Sequence, residues 1–386
     1  MIDTIVLCLN STQFSLAKST YEKFTPNARG LFEAPFYNFG GGKAICCRLV
    51  PSSEDKKLGK YLPRLSLIKA IRRGGVAINL FVEFSAPKVL FGNNFDELKD
   101  EDFTALIMKL AGILRYMGIW TWSEALRQAK VSRIHFGKNV ILTNYTTASE
   151  IISELAKVNL TTRRQSDTRT YKNDGETLHF FNSSTGIAIY NKKKELQRSK
   201  VSEKTLIEQD NYCQLSLLDY FNEHRPFEVV RIETRYNNRR AIKAILTKVS
   251  EDPGEITFEE LFKADLSQRI LNYEFGRIAE ANVGLGDSFA SSPEDFIKDL
   301  NINNQFAKPN QKLIALAIHE LIKDTGCREI RNLIQATPMQ WSRIVKMIEK
   351  LSFTKRRNTA FNVIKDSLTA FKPVDLNDYG ISIKPP

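Results

Sequence analysis

The sequence predicts an α+β fold: a mostly antiparallel sheet with helices packed on it, followed by a smaller helical C-terminal part. Three observations lead there. Short apolar runs of strand length fill the first two-thirds of the chain. The helical patterns among them are too few to cross over between every pair of strands, which argues against a doubly wound parallel sheet. After about residue 250 the strand-like runs give way to helical periodicity.

Taken in order, Thr4–Leu9, Gly42–Leu49, Ala77–Phe84 and Val131–Phe136 are rich in β-branched or aromatic residues and bounded by turn residues, so each predicts a strand. Between the last two, Phe103, Ile107, Leu110, Leu114 and Met117 recur at helical spacing and end at Gly118. Thr147 with Glu150 three residues on forms a capping box that starts a helix over Ile151–Val158. Strands over Leu178–Asn182, Gly186–Asn191 and Glu228–Tyr236 follow. The turn-rich seam Ser250-Glu251-Asp252-Pro253-Gly254 places a domain boundary, giving 1–250 and 251–386. Beyond it, Thr257 and Glu260 predict a helix through Phe262 and Leu266, and Leu313, Leu316, Ala317 and Leu321 another. Helices over Arg328–Gln335 and Met339–Leu351, joined through Thr337 and Pro338, fit either a helix-turn-helix or a plain helical corner.

The 386 residues are 42% hydrophobic and 26% charged, which excludes a disordered chain or a fibre. Lys and Arg number 56 against 44 Asp and Glu, and the resulting +12 favours a polyanion such as nucleic acid. The alternative, an anionic membrane, is set aside because no run approaches the ~18 apolar residues of a spanning helix. The opening residues read as a strand without a basic leader, and five scattered cysteines fit neither a disulfide framework nor a zinc knuckle. A reducing, cytoplasmic setting is expected. His135, His179, His224 and His319 show no metal-binding spacing, so any ion is expected on carboxylates.

Chemistry concentrates on four strands. In Gly186-Ile187-Ala188-Ile189-Tyr190-Asn191-Lys192-Lys193-Lys194, alternation sends Ile187 and Ile189 to the core and Ala188, Tyr190 and Lys192 to the other face. A phenol has pKa ~10 and becomes a useful nucleophile only where cations stabilise its phenolate. From these residues alone, a strand-end tyrosine packed on its flank beside a solvated lysine run is the favoured reading. In Phe227–Tyr236 the same alternation puts Glu233 between Arg231 and Arg235, as a buried ionic network or an open site. Glu83 faces away from Leu80, Val82 and Phe84, and Arg133 shares a face with His135 opposite Ile134. Glu83, His135 and Glu233 can meet on one Mg²⁺ or Mn²⁺ only if their strands are neighbours. Taken singly, each also reads as a solvated or salt-bridged group.

Met1–Leu7, Val82–Asn94, Ser132-Arg133-Ile134, Val230–Arg235 and Phe258–Ala264 resemble, in that order, the filamentous-phage replication initiators of the gene II/X family. Ile187–Glu195 is similar to the active-site segment of the related Rep_trans class of rolling-circle plasmid initiators. The resemblance implies a Rep nuclease-like fold and an endonuclease that nicks one strand of origin DNA, stays joined to the 5′-phosphate through tyrosine, and later rejoins the ends. By it Tyr190 becomes the nucleophile, and Glu83 and Glu233 become ligands of a divalent metal. His135 stands where the relatives carry Asp, and imidazole suits Mn²⁺ or Zn²⁺ better than Mg²⁺.

Lys192, Lys193, Lys194, Arg163, Arg164, Arg169, Arg231 and Arg235 are the expected backbone contacts, with Phe180 and Phe181 stacking unpaired bases. Host helicase and polymerase would be partners, and the bacterial cytoplasm the setting. Two other readings stay open. One is a non-catalytic origin- or operator-binding protein using the helical C-terminal pair, and the other an RNA-binding module.

Overall fold

The computed structural model describes residues 1–29, 44–51, 61–72, 75–142, 147–158, 168–172, 175–199, 228–250, 254–280, 288, 290, 292–354 and 360–379. Its strands, in chain order, are β1 (Ile2–Asn10), β2 (Ser15–Leu16), β3 (Ala44–Leu49), β4 (Arg64–Arg72), β5 (Gly75–Ser85), β6 (Ile119–Trp120), β7 (Lys130–Leu142), β8 (Thr168–Lys172), β9 (Thr177–Phe181), β10 (Thr185–Asn191) and β11 (Glu228–Tyr236). Nine of them form one sheet in the order β3-β4-β5-β1-β7-β11-β10-β9-β8, with every neighbouring pair antiparallel. The expected α+β class is therefore the observed one.

Alternation explains why the sheet is polar on one side. Leu80, Val82 and Phe84 of β5, Ile134 and Phe136 of β7, Ile187 and Ile189 of β10, and Val230 and Ile232 of β11 are all buried in one hydrophobic cluster. Helices seal this apolar face. They include α1 (Ala86–Phe91), α2 (Phe103–Tyr116), α3 (Ser123–Arg127) and α4 (Ala148–Ala156). While α5 (Lys192–Ser199) lies against β10 and β11 beside Tyr190, further along come α6 (Arg239–Val249), α7 (Phe258–Leu261) and α8 (Ala264–Glu280). α2 ends where expected, with Gly118 at φ 82°, and Thr147 caps α4 by accepting from the Glu150 N–H.

A second, separate cluster of Phe296, Leu300, Ile318, Ile330, Trp341 and others lies within α9 (Pro293–Asn303), α10 (Pro309–Asp324), α11 (Cys327–Leu333) and α12 (Pro338–Ile348). Thr337 caps α12 and Pro338 opens it. The last helix, α13 (Ala360–Ala370), returns to the first cluster, where Ile364 and Leu368 are buried beside α8. The division of cores thus differs from a single cut at residue 250, since α7, α8 and α13 pack on the sheet. Helical periodicity reveals an apolar stripe but not which neighbour it meets.

Local differences have local causes. β4 alternates Leu65 and Leu67 with polar residues but carries the basic residues Arg64, Lys69 and Arg72, which mask its apolar pattern. β8 holds no aliphatic residue and is defined by its pairing with β9. β7 runs past Gly137-Lys138-Asn139, a turn-like triplet, because β11 pairs with it residue for residue to Leu142. The helix from Thr257 stops at Leu261 rather than continuing through Leu266, as Phe262 leaves helical geometry. Lys192 starts α5 instead of prolonging β10.

Candidate active site

The face opposite the helices carries the polar half of each strand's alternation. Tyr190 pairs across with Arg231 and Ala188 with Glu233. Glu233 pairs with Gly137 and Arg235 with His135. Further along the sheet, Arg133 pairs with Val6, Val6 with Glu83, and Glu83 with Arg64. The expected residues of β5, β7, β10 and β11 therefore do share one surface.

At its centre Glu233 is buried. Its Oε1 accepts from His135 Nδ1 at 3.0 Å and from Arg235 Nε at 2.8 Å, and its Oε2 accepts from the Tyr190 hydroxyl at 3.4 Å. Burial alone would raise the Glu233 carboxyl, but the His135 hydrogen bond and the Arg235 charge outweigh it and hold the group well below the usual carboxylate range. Tyr190 is only 8% exposed. Burial first, and the Glu233 charge second, push its phenol well above the ordinary value. The Lys192 ammonium sits 5.8 Å from the centre of the Tyr190 ring and 2.7 Å from Glu195, and burial lowers its pKa.

Arg231 belongs to a deeper layer. Its guanidinium lies 2.9 Å from Asp3 Oδ1, donates to Asn139 Oδ1 at 2.9 Å and donates to the Asn94 carbonyl at 3.0 Å. It crosses β7 at Gly137, where a Cβ would stand 2.9 Å from its terminal nitrogen. Because three partners hold that guanidinium, Gly137→Ala is expected to cost about 1–3 kcal/mol, as overpacking does. A lowered urea midpoint at unchanged slope is the readout.

The expected metal centre is not assembled. Glu83 is 36% exposed and faces Arg133 at 3.9 Å, while Glu233 is already taken by His135, Arg235 and Tyr190. Among the described residues no three His, Cys, Asp or Glu side chains gather closely enough to hold an ion. His135 Nε2 is buried without a hydrogen-bond partner, but one imidazole nitrogen does not make a divalent-ion site. The strands are close enough to share a face, yet β1 lies between β5 and β7, so the carboxylates of Glu83 and Glu233 engage different cations.

The expected nucleic-acid contacts divide. Lys192 is fully buried and Lys193 is buried, while Lys194 is ion-paired with Glu176. Folding Lys192–Ser199 as a helix turned what reads as a solvated lysine run inward. Arg231 is committed to Asp3, and Arg235, although 35% exposed, to Glu233. Arg169 lies on β8, whereas Arg163 and Arg164 fall outside the described residues. Phe180 is a core residue, and Phe181 stacks on His179 with ring centroids 4.6 Å apart. Sequence reasoning missed Asp3, Asn94 and Asn139. A lone Asp in the apolar run of β1 is the signal that could have found the first.

Residues 67–252 match the family described as the N-terminal part of the phage gene II replication-associated protein. This stretch is similar to the filamentous-phage gene II-type replication initiators. No curated protein and no solved structure matches the chain. The matched stretch runs from within β4 to just past α6, so Glu83, His135, Tyr190, Arg231, Glu233 and Arg235 all lie inside it. α8 to α13, including the second hydrophobic cluster, lie beyond it. Among the described residues no helix is long and apolar enough to cross a membrane.

Proposed function

We propose that this chain is a replication initiator that nicks one strand of origin DNA through Tyr190 and rejoins it by the reverse transfer. The phenolic oxygen forms a bond to the scissile phosphorus while the bond to the 3′-oxygen breaks. The phenol gives up its proton, the 3′-oxygen leaves as a hydroxyl, and the 5′-phosphate stays on the tyrosine. A host polymerase can extend the freed hydroxyl after a host helicase opens the duplex, in the bacterial cytoplasm. A later 3′-hydroxyl attacks the phosphotyrosine and restores the phosphodiester.

The observation that carries this reading is the hydrogen bond from Tyr190 to Glu233 within a polar row of the matched stretch. Glu233, ionised at neutral pH, orients the phenol and accepts its hydrogen bond. Arg235 and Lys192 are cations beside the same group and oppose negative charge as it develops on the phenol oxygen and the phosphate. Exposed Arg343 and Lys346 on α12 give the helical part a second basic surface for duplex origin DNA.

One observation favours a second reading, the non-catalytic origin- or operator-binding protein: Tyr190 is buried, and its environment holds the phenol protonated. Mass spectrometry of the full chain after incubation with supercoiled origin DNA separates the two. A nucleotide adduct on Tyr190 that vanishes in Tyr190→Phe, with duplex binding retained, is the expected result. An adduct that survives in Tyr190→Phe overturns the assignment, and tight binding with no adduct in either protein selects the second reading.

A further inference from the structure

The polar face holds a cleft of about 1030 Å³ on the half of the sheet away from Tyr190. Its floor is made by β3, β4, β5, β1 and β7, a width of roughly 19 Å at ~4.8 Å per strand step. Among the described residues, five cations, Arg48, Arg64, Lys88, Arg133 and Arg239, and one carboxylate, Glu83, line it. Strand register sets the charges in order. Arg64 pairs directly with Glu83, and Arg133 reaches Glu83 from two strands away on the other side. One row further along, Arg48 pairs with Ser66, and Ser66 with Phe81. The acid thus sits between two guanidiniums along the floor. Phe81, Ile68 and Val6 supply apolar floor between the cations.

We propose that this cleft is a binding site for single-stranded DNA, which it feeds toward Tyr190. The inference deepens the nicking reading and rests on it only for what happens at the tyrosine. A floor roughly 19 Å wide, at ~4.8 Å per strand step, suits a chain of nucleotides better than a single one. Cations interleaved with apolar and aromatic floor suit a strand whose phosphates and unstacked bases are both exposed, whereas a duplex hides its bases. Arg133 lines the cleft, and two residues further along β7 His135 bonds Glu233, which in turn accepts from Tyr190. None of the basic residues expected from sequence lines it. The site moves DNA contact from β10 and α5 to β3, β4 and β7.

Fluorescence anisotropy of the full chain with a labelled oligothymidylate tests it. The double variant Arg48→Ala, Arg64→Ala changes two exposed side chains and is expected to weaken binding about tenfold or more, and to flatten the salt dependence by about 1.4 in slope, as loss of two phosphate contacts does. Glu83→Gln is expected to tighten binding by about threefold, the reverse of losing a cation. An unchanged affinity and salt slope in the double variant, with an unchanged melting temperature, overturns the proposal, as does weaker binding in Glu83→Gln. Equal loss of duplex and single-strand binding overturns the single-strand assignment. Tyr190 does not line the cleft, so Tyr190→Phe should bind oligothymidylate like the parent. Failure of the adduct experiment therefore leaves this measurement intact, and adduct formation with unaltered binding in the double variant would refute the cleft alone.

Discussion

Glu97→Ala is expected to lower stability by about 3–5 kcal/mol, because it strands a buried ammonium. Glu97 and Lys138 are both nearly inaccessible and 2.5 Å apart. The same carboxylate accepts the Asn139 N–H at 2.5 Å and the Val374 N–H at 3.1 Å. Removing it leaves the Lys138 charge without a counter-ion, holding only the Asn139 carbonyl at 3.1 Å, and two backbone donors unpaired in the interior. The effect reaches the candidate site. Asn139 also donates to the Phe95 carbonyl, and Asn94 accepts from Arg231, so the loop over 93–98 is pinned from both sides. Urea denaturation is the measurement. Adding Lys138→Met to Glu97→Ala should recover much of the loss by removing the orphaned charge, and a double variant no better than the single would refute this explanation.

Glu233→Ala is expected to cost about 3 kcal/mol, toward the lower end for a broken buried pair because Arg235 is partly exposed and water screens it. Its pH signature has a definite sign. A carboxyl held below its ordinary 4.5 in the folded state contributes stability above that pH and loses it as pH falls through the folded value. The urea midpoint of the parent protein should therefore drop below about pH 4.5, and the uncharged Glu233→Gln should show a flatter acid limb. A parallel acid limb in Glu233→Gln would place that loss on other carboxylates. The phenol responds too. Since the Glu233 charge is the second cause of the raised Tyr190 value, Glu233→Gln should bring it down, while burial, the first cause, keeps it above 10. An ultraviolet titration of the phenolate, with Tyr190→Phe as reference, reads the shift.

These expectations show how far local reasoning carries. The alternation in Val230–Arg235 places Arg231, Glu233 and Arg235 on one face, and the structure has them there, since a strand's side-chain period is two whatever its neighbours. Glu83 and His135 likewise point away from the core. Among the described residues they do not gather at one point, for a reason no local pattern contains: β1 separates their strands, and nearer guanidinium and imidazole groups reach the carboxylates first. Lys192 and Lys193 escape a local reading because a basic run looks solvated until the helix that carries it is packed. Arg48 and Arg64 escape it because neither shares a segment with Tyr190.

The sequence by itself determined the α+β class, the capped helices at Thr147, Thr257 and Thr337, the polar and apolar sides of the central strands, and the basic charge that calls for a polyanion. Only the tertiary structure decided that Asp3 partners Arg231 from the far end of the sheet-forming chain, that Tyr190 lies buried against Glu233, and that cations from β3, β4 and β7 join in one cleft. Periodicity and capping act within a few residues of chain, whereas ion pairing and burial depend on which distant strands lie side by side.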